Sequence, residues 1–206
     1  MILTNKRLAV GFKQAESRRQ DMADLTKKAI AEGLKELCHH KDFNKISVRD
    51  ITEQCGLNRQ TFYYHFQDKY ELLDWIYYQE GFVYLASDVT FDNWHEHMEK
   101  LLEMMRENQI FYENTISASP QCFEDYLFQI TCTLFEEAIR RLDGSLRLKE
   151  DDVKLYSRFY SYGMCGIIRD WVRCGMKESP KSLSLRIRKL ANDSEKMASL
   201  RLQGQF

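Results

Sequence analysis

The run from Ser47 to Leu73, SVRDITEQCGLNRQTFYYHFQDKYELL, constrains this chain more than any other segment. Its punctuation admits little except short helices with fixed ends. Ser47 is placed to cap a helix over Val48–Cys55, and Asp50 at the third helical position completes a capping-box pattern. Gly56 follows where that helix must stop, because glycine enters the left-handed region at little steric cost. Asn58 can cap a second short helix running to about Tyr64. Asp68 and Glu71 repeat the cap-and-return pattern for a helix beginning near Lys69. Val48, Ile51 and Cys55 share one face, and Leu57, Phe62 and Phe66 can close a small core. Two helices joined by a three- or four-residue turn containing glycine make a helix-turn-helix unit.

The outward residues of the second helix are donors rather than core formers. Arg59, Gln60 and Thr61 occupy its first turn, the part of a recognition helix that meets base edges in the major groove. Arginine and glutamine pair bidentately with guanine and adenine, and a threonine methyl meets that of thymine. Tyr63, Tyr64, His65 and Lys69 add hydroxyl, imidazole and ammonium groups suited to phosphate oxygens, and Ser47 with its capped helix can hold another. A helical hairpin whose polar face is merely solvated has the same spacing.

The motif Gly56-Leu57-Asn58, Thr61-Phe62-Tyr63-Tyr64-His65-Phe66, Asp68-Lys69 and Glu71-Leu72-Leu73 resembles the DNA-binding domain of TetR-family bacterial transcriptional regulators. The likeness covers about fifty residues, from the helix around Leu25–Leu37 to the start of the linking helix. It implies phosphate contacts from Ser47, Tyr63, Tyr64, His65 and Lys69, and base contacts from Arg49, Arg59, Gln60 and Thr61. Gln60 departs from the pattern, since many relatives carry a small residue there.

Composition agrees. With two prolines and nine glycines in 206 residues, the chain suits an all-α protein: a three-helix head with the helix-turn-helix, then a larger helical regulatory and dimerisation domain. The expected division is 1–22 as an N-terminal extension, 23–68 as the head and 69–206 as the second domain. Charge is divided too: residues 1–66 carry net +4, residues 67–142 net −10 and residues 143–206 net +5. A basic head beside an acidic middle orients the head toward a polyanion. Six scattered cysteines without a CxxC pair suit reduced thiols, and no segment has the apolar length of a membrane span or the pattern of a secretory signal. The expected location is cytoplasmic.

Upstream, Asp24 can cap a helix from Leu25 to about His40. Before it, Lys6, Arg7, Lys13, Arg18 and Arg19 can form an arm for a minor groove, although a solvated, partly disordered terminus is the simpler reading. Downstream, helices are expected from Lys69 toward Leu85, over Trp94–Arg106 behind Asp92 or Asn93, over Gln121–Leu142, over Asp151–Cys174 and from Ser182 to Leu190. Phe159, Gly163, Gly166, Ile167 and Trp171 can share one face, and two glycines inside a helix suggest close contact with another helix. The segment YGMCGIIRDWVRCGMKESPKSL resembles the final helix pair of TetR-family regulators, which implies a two-fold homodimer through a four-helix interface.

Trp94, Phe111, Tyr112, Tyr126, Phe135 and Tyr160 can line an effector pocket, although aromatic stripes at helical spacing are more often packing. The segments TFYYHFQDKYELLDWIYYQ and RENQIFYENTI resemble the subgroup containing the dihydroxyacetone kinase operon activator of lactic bacteria, which is driven by a partner protein. The expected partners are double-stranded DNA with a palindromic operator, a second copy of the chain, and a small molecule or partner protein. No cofactor is expected. No metal is expected either, because His95 and His97 stand at i, i+2 and diverge on a helix. No nucleophile-and-base pairing or phosphate-binding glycine loop suggests an enzyme. A protein-interaction adaptor of the same fold is the competing reading. Its mark would be loss of donors from the head, and all of them are present.

Overall fold

A computed structural model describes residues 21–82, 89–90, 92–143 and 148–202, which form helices joined by turns and short extended links, with no strand among them. The expected basic arm, Lys6 to Arg19, lies outside the described residues. The chain divides into two compact units, Met1–Leu73 and Asp74–Phe206. The division falls inside a helix, five residues beyond the boundary expected from the sequence.

The first unit holds α1 (21–38), a 3-10 turn at Phe43–Lys45, α2 (Val48–Cys55), α3 (Arg59–His65) and the start of α4 (Lys69–Tyr77). Helix α1 is already running at residue 21, so Asp24 lies within it and is not its cap. The other caps form as the sequence dictates. Ser47 Oγ accepts the Asp50 N–H at 3.2 Å, and Asp50 Oδ2 accepts the Ser47 N–H at 2.7 Å. Gly56 closes α2 at φ 66°, and Asn58 Oδ1 accepts the Thr61 N–H at 2.7 Å. Ile30, Leu34, Phe43, Ile51, Phe62 and Leu72 fill the core, each fully buried. Gly33 is where α1 meets α2: a methyl group there would stand 2.3 Å from Cys55 Sγ.

In the second unit, α4 passes into a π turn at Tyr78–Phe82, and the rest of the expected helix toward Leu85 lies outside the described residues. Then follow α5 (Trp94–Glu107), α6 (Gln109–Ala118), α7 (Pro120–Asp143), α8 (Glu150–Arg173) and α9 (Pro180–Leu202). Helix α7 lies along α8, α9 packs on α5, and α6 sits against α7 and α8. Asn93 occupies the cap position of α5, but its side chain accepts the Thr90 N–H at 2.7 Å rather than a helix amide. The last helix begins earlier and ends later than expected. Pro180 opens it, and Ser179 Oγ accepts the Ser182 N–H at 3.2 Å, so Ser182 is not the cap. Among the described residues no helix is long and apolar enough to cross a membrane.

Candidate nucleic-acid interface

Helix α3 is held by its apolar side and presents its polar side. Phe62 and Phe66 are buried, with ring centroids 5.8 Å apart. Arg59 and Gln60 are exposed, and Tyr63 and Tyr64 keep 51% and 84% of their surface in solvent. That exposure is unusual for tyrosine in a small core, and it leaves both hydroxyls free to meet a ligand. Thr61 is half-buried because its hydroxyl donates to Asn58 Oδ1 at 3.0 Å, which commits its proton to the cap. His65 is half-buried with its ring 5.0 Å from that of Tyr64. Burial, and then the charge of Lys27, pushes its pKa below the usual histidine value. That shift favours the neutral imidazole, which keeps one N–H to donate.

Arg49 stands exposed on α2, with Nε 2.6 Å from Glu53 Oε1 one turn on. Hydrogen bonding to Glu53 and its charge raise the Arg49 pKa further. Its remaining guanidinium donors are left for a base or phosphate.

Two members of the expected phosphate set are engaged inside the head. Ser47 Oγ donates to Asp50 Oδ2 at 2.7 Å, so its single proton belongs to the capping box. Lys69 Nζ donates to Phe43 O, Asn44 O and Ile46 O at 2.7, 3.2 and 2.8 Å, which uses all three ammonium hydrogens. In this arrangement the protons of both side chains are used within the head. Lys27 was not singled out from the sequence. It lies 6.0 Å from the Phe66 ring centroid and acts on His65, a placement set by the packing of α1 on α3 that no local pattern encodes.

The aromatics of the second unit separate into packing and exposed groups. Phe111 and Tyr112 are fully buried with Tyr77 and Phe123, and the Tyr77 hydroxyl donates to Thr115 Oγ1 at 2.7 Å. They are core, not pocket lining. Trp94 and Phe135 line an apolar cavity of ≈ 30 Å³ with Met98, Leu127 and Met164. That space suits about one water molecule rather than an organic effector. Tyr126 meets Tyr78 at 5.9 Å, and Tyr160 stacks on Phe135 at 5.3 Å while remaining exposed.

On α8, Val153, Ser157, Ser161, Met164 and Ile168 face inward. Trp171 does too, 6% exposed, with Nε1 donating to Glu178 O at 2.9 Å. This removes it from the expected dimer face. The opposite side of α8 presents Phe159 at 71% exposure, together with Gly163. Among the described residues nothing lies within 4 Å of a methyl group placed on Gly163 or Gly166, so no described helix packs closely on them.

This architecture defines a helix-turn-helix DNA-binding regulator with a helical second domain. The family described as bacterial regulatory proteins, tetR family, matches residues 21–76, and a transcriptional regulator C-terminal region matches residues 92–193. The chain is 36% identical over 149 residues to the HTH-type dhaKLM operon transcriptional activator DhaS of Lactococcus lactis subsp. lactis (strain IL1403), covering 71% of this chain and 79% of that protein. The chain belongs to the TetR family of bacterial transcriptional regulators.

Solved structures agree. The dihydroxyacetone kinase operon activator DhaS superposes with a TM-score of 0.65 at 26% identity, over 84% of this chain and 97% of that one. The fatty acid degradation regulator FadR from Bacillus halodurans shares the fold at 13% identity and a TM-score of 0.54, covering 80% and 93% of the two chains. A TetR transcriptional regulator from Streptococcus agalactiae 2603V does so at 20% and 0.54, covering 85% and 98%.

Proposed function

We propose that the protein binds a palindromic operator as a homodimer, with α3 of each subunit entering a major groove. Arg59, Gln60, Arg49 and the Thr61 methyl read bases, while Tyr63, Tyr64 and His65 donate to phosphates. The observation that carries this reading is the division of α3: two buried phenylalanines anchor it, and four long polar side chains stand exposed on its other side. Two-fold symmetry places the half-sites about one helical turn of DNA apart.

The homodimer is supported by the exposed apolar side of α8, where Leu155, Phe159 and Tyr162 keep 62%, 71% and 59% of their surface. Exposed aromatics beside open glycines suit a second helix pair packed across a two-fold axis. The similarity to DhaS, described as an activator of the dhaKLM operon, favours a target operon of that kind, with a small molecule or a partner protein acting on the second domain.

Selection of bound duplexes from random DNA, paired with sedimentation of the free protein, tests the proposal. It expects a palindromic consensus and a dimer. A monomer, or a pool with no enriched symmetric site, would sink it.

A further inference from the structure

We propose that Lys69 is a positioning residue, whose ammonium pins the first turn of α4 to the 3-10 turn and so fixes the helix end on which the DNA-reading unit is built. The inference rests on the DNA-binding reading above and extends it to how the head is held. An ammonium has three hydrogens, and here each has a carbonyl acceptor: Phe43 O at 2.7 Å, Asn44 O at 3.2 Å and Ile46 O at 2.8 Å. The same Nζ lies 4.6 Å from the Phe43 ring centroid and 5.4 Å from that of Tyr70, so its open sides meet aromatic faces. Phe43 is fully buried, which holds the turn in place beneath it.

The consequence lies in one peptide unit. Ile46 C=O and Ser47 N–H belong to the same amide plane. Lys69 holds its oxygen at 2.8 Å, and Asp50 Oδ2 holds its hydrogen through the Ser47 nitrogen at 2.7 Å. Rotating that plane would break both bonds. It is also the plane from which α2 departs, since Ser47 is the N-cap. Helix α2 carries Arg49, and the turn closed by Gly56 sets α3 upon it. The start of α4 and the start of α2 are therefore tied through one side chain, across 23 residues of sequence. A lysine reaching for phosphate would have to abandon three carbonyls, and burial already pushes its pKa down.

The test uses the full chain, its selected operator duplex and fluorescence anisotropy across a potassium chloride series, at a temperature where circular dichroism shows each variant folded. Lys69→Met should weaken operator binding by about tenfold or more, the effect of losing a charge-assisted bond that orients the reader. The slope of log affinity against log salt should stay unchanged, because no phosphate contact is lost. Amide exchange over residues 43–50 should quicken by at least about tenfold.

Lys69→Arg supplies the second arm and serves if the methionine variant does not fold. A planar guanidinium cannot aim three N–H groups at three carbonyls converging on one point, so it should fail to restore either affinity or protection. A slope reduced by about 0.9 per subunit would identify a phosphate ligand and overturn the pin. Full rescue by arginine, or unchanged exchange at 43–50 in both variants, would overturn it equally. A wild-type protein that selects no duplex refutes the DNA-binding reading instead, while the exchange arm still decides the pin.

Discussion

Replacing Asp50 by asparagine removes one negative charge and leaves the shape of the cap nearly intact. In the native head a single oxygen, Oδ2, accepts from Ser47 N at 2.7 Å, Ser47 Oγ at 2.7 Å and Lys41 Nζ at 2.8 Å. The Ser47 cap of the residue-50 N–H survives, but the bonds that Ser47 returns to Oδ2 lose their charge assistance, which costs about 1 kcal/mol. The Lys41 bridge, whose side chains keep 37% and 28% of their surface, adds about 0.5 kcal/mol after screening. Asp50→Asn should therefore lower the stability of the head by about 1.5 kcal/mol, a fall in its Tm of about 6–12 °C for a small domain.

The pH profile carries a sign. Hydrogen bonding from Lys41, and then from Ser47, holds the Asp50 carboxyl far below the usual carboxylate range. The unfolded chain takes up that proton near its ordinary pKa of about 4, and the folded head only well below it. The stabilisation is present in full above about pH 4–5 and is lost as the pH falls toward the folded value. Amide exchange of α2 in both proteins, from pH 7 downward, measures the gap. A gap under about 0.3 kcal/mol at pH 7, or one that does not narrow below pH 4, would refute the assignment of Asp50 as the keystone of this cap.

Other substitutions separate reading from folding. Tyr64→Phe removes only an exposed hydroxyl, so stability should move by less than about 0.5 kcal/mol while operator affinity falls by about 1–2 kcal/mol per subunit; anisotropy and thermal melts together check both halves. Phe159→Glu should leave the fold standing and shift sedimentation from dimer to monomer at micromolar concentration, since a charge cannot be packed unpaired in an apolar interface. Tyr77→Phe deletes the buried bond to Thr115 Oγ1, and urea unfolding of the second unit should show a loss of about 1 kcal/mol.

The parts of this molecule that were legible in the sequence are those whose causes lie within four residues. Ser47 with Asp50, the left-handed Gly56 and Asn58 with Thr61 are local bargains between side chain and backbone, and each forms where the residue types place it. Faces were harder. Trp171 shares helical spacing with Phe159 to within a third of a turn, and only the packing around Glu178 turns it inward. Phe111 and Tyr112 have the same composition as a pocket wall, but the stacking of Tyr77 at 5.7 Å from Tyr112 fills the space. Lys69 was the least legible, because its three acceptors are backbone oxygens 23 to 26 residues away and carry no side-chain signature. Donor chemistry on α3 could be seen from residue types alone, whereas which donors are already spent could not.

The contact of Gly33 with Cys55 makes two distant positions a single choice of volume. The thiol fills the space a methyl group would need, and its S–H donates to Ala29 O at 3.3 Å, so sulfur acts as the spacer between α1 and α2. An alanine at the first position would require the Cys55 side chain to turn away or be smaller, or the two helices to move apart. Substitutions at the two sites are therefore coupled, and added volume at either one bears on the spacing of α1 and α2 on which the reading helix is built.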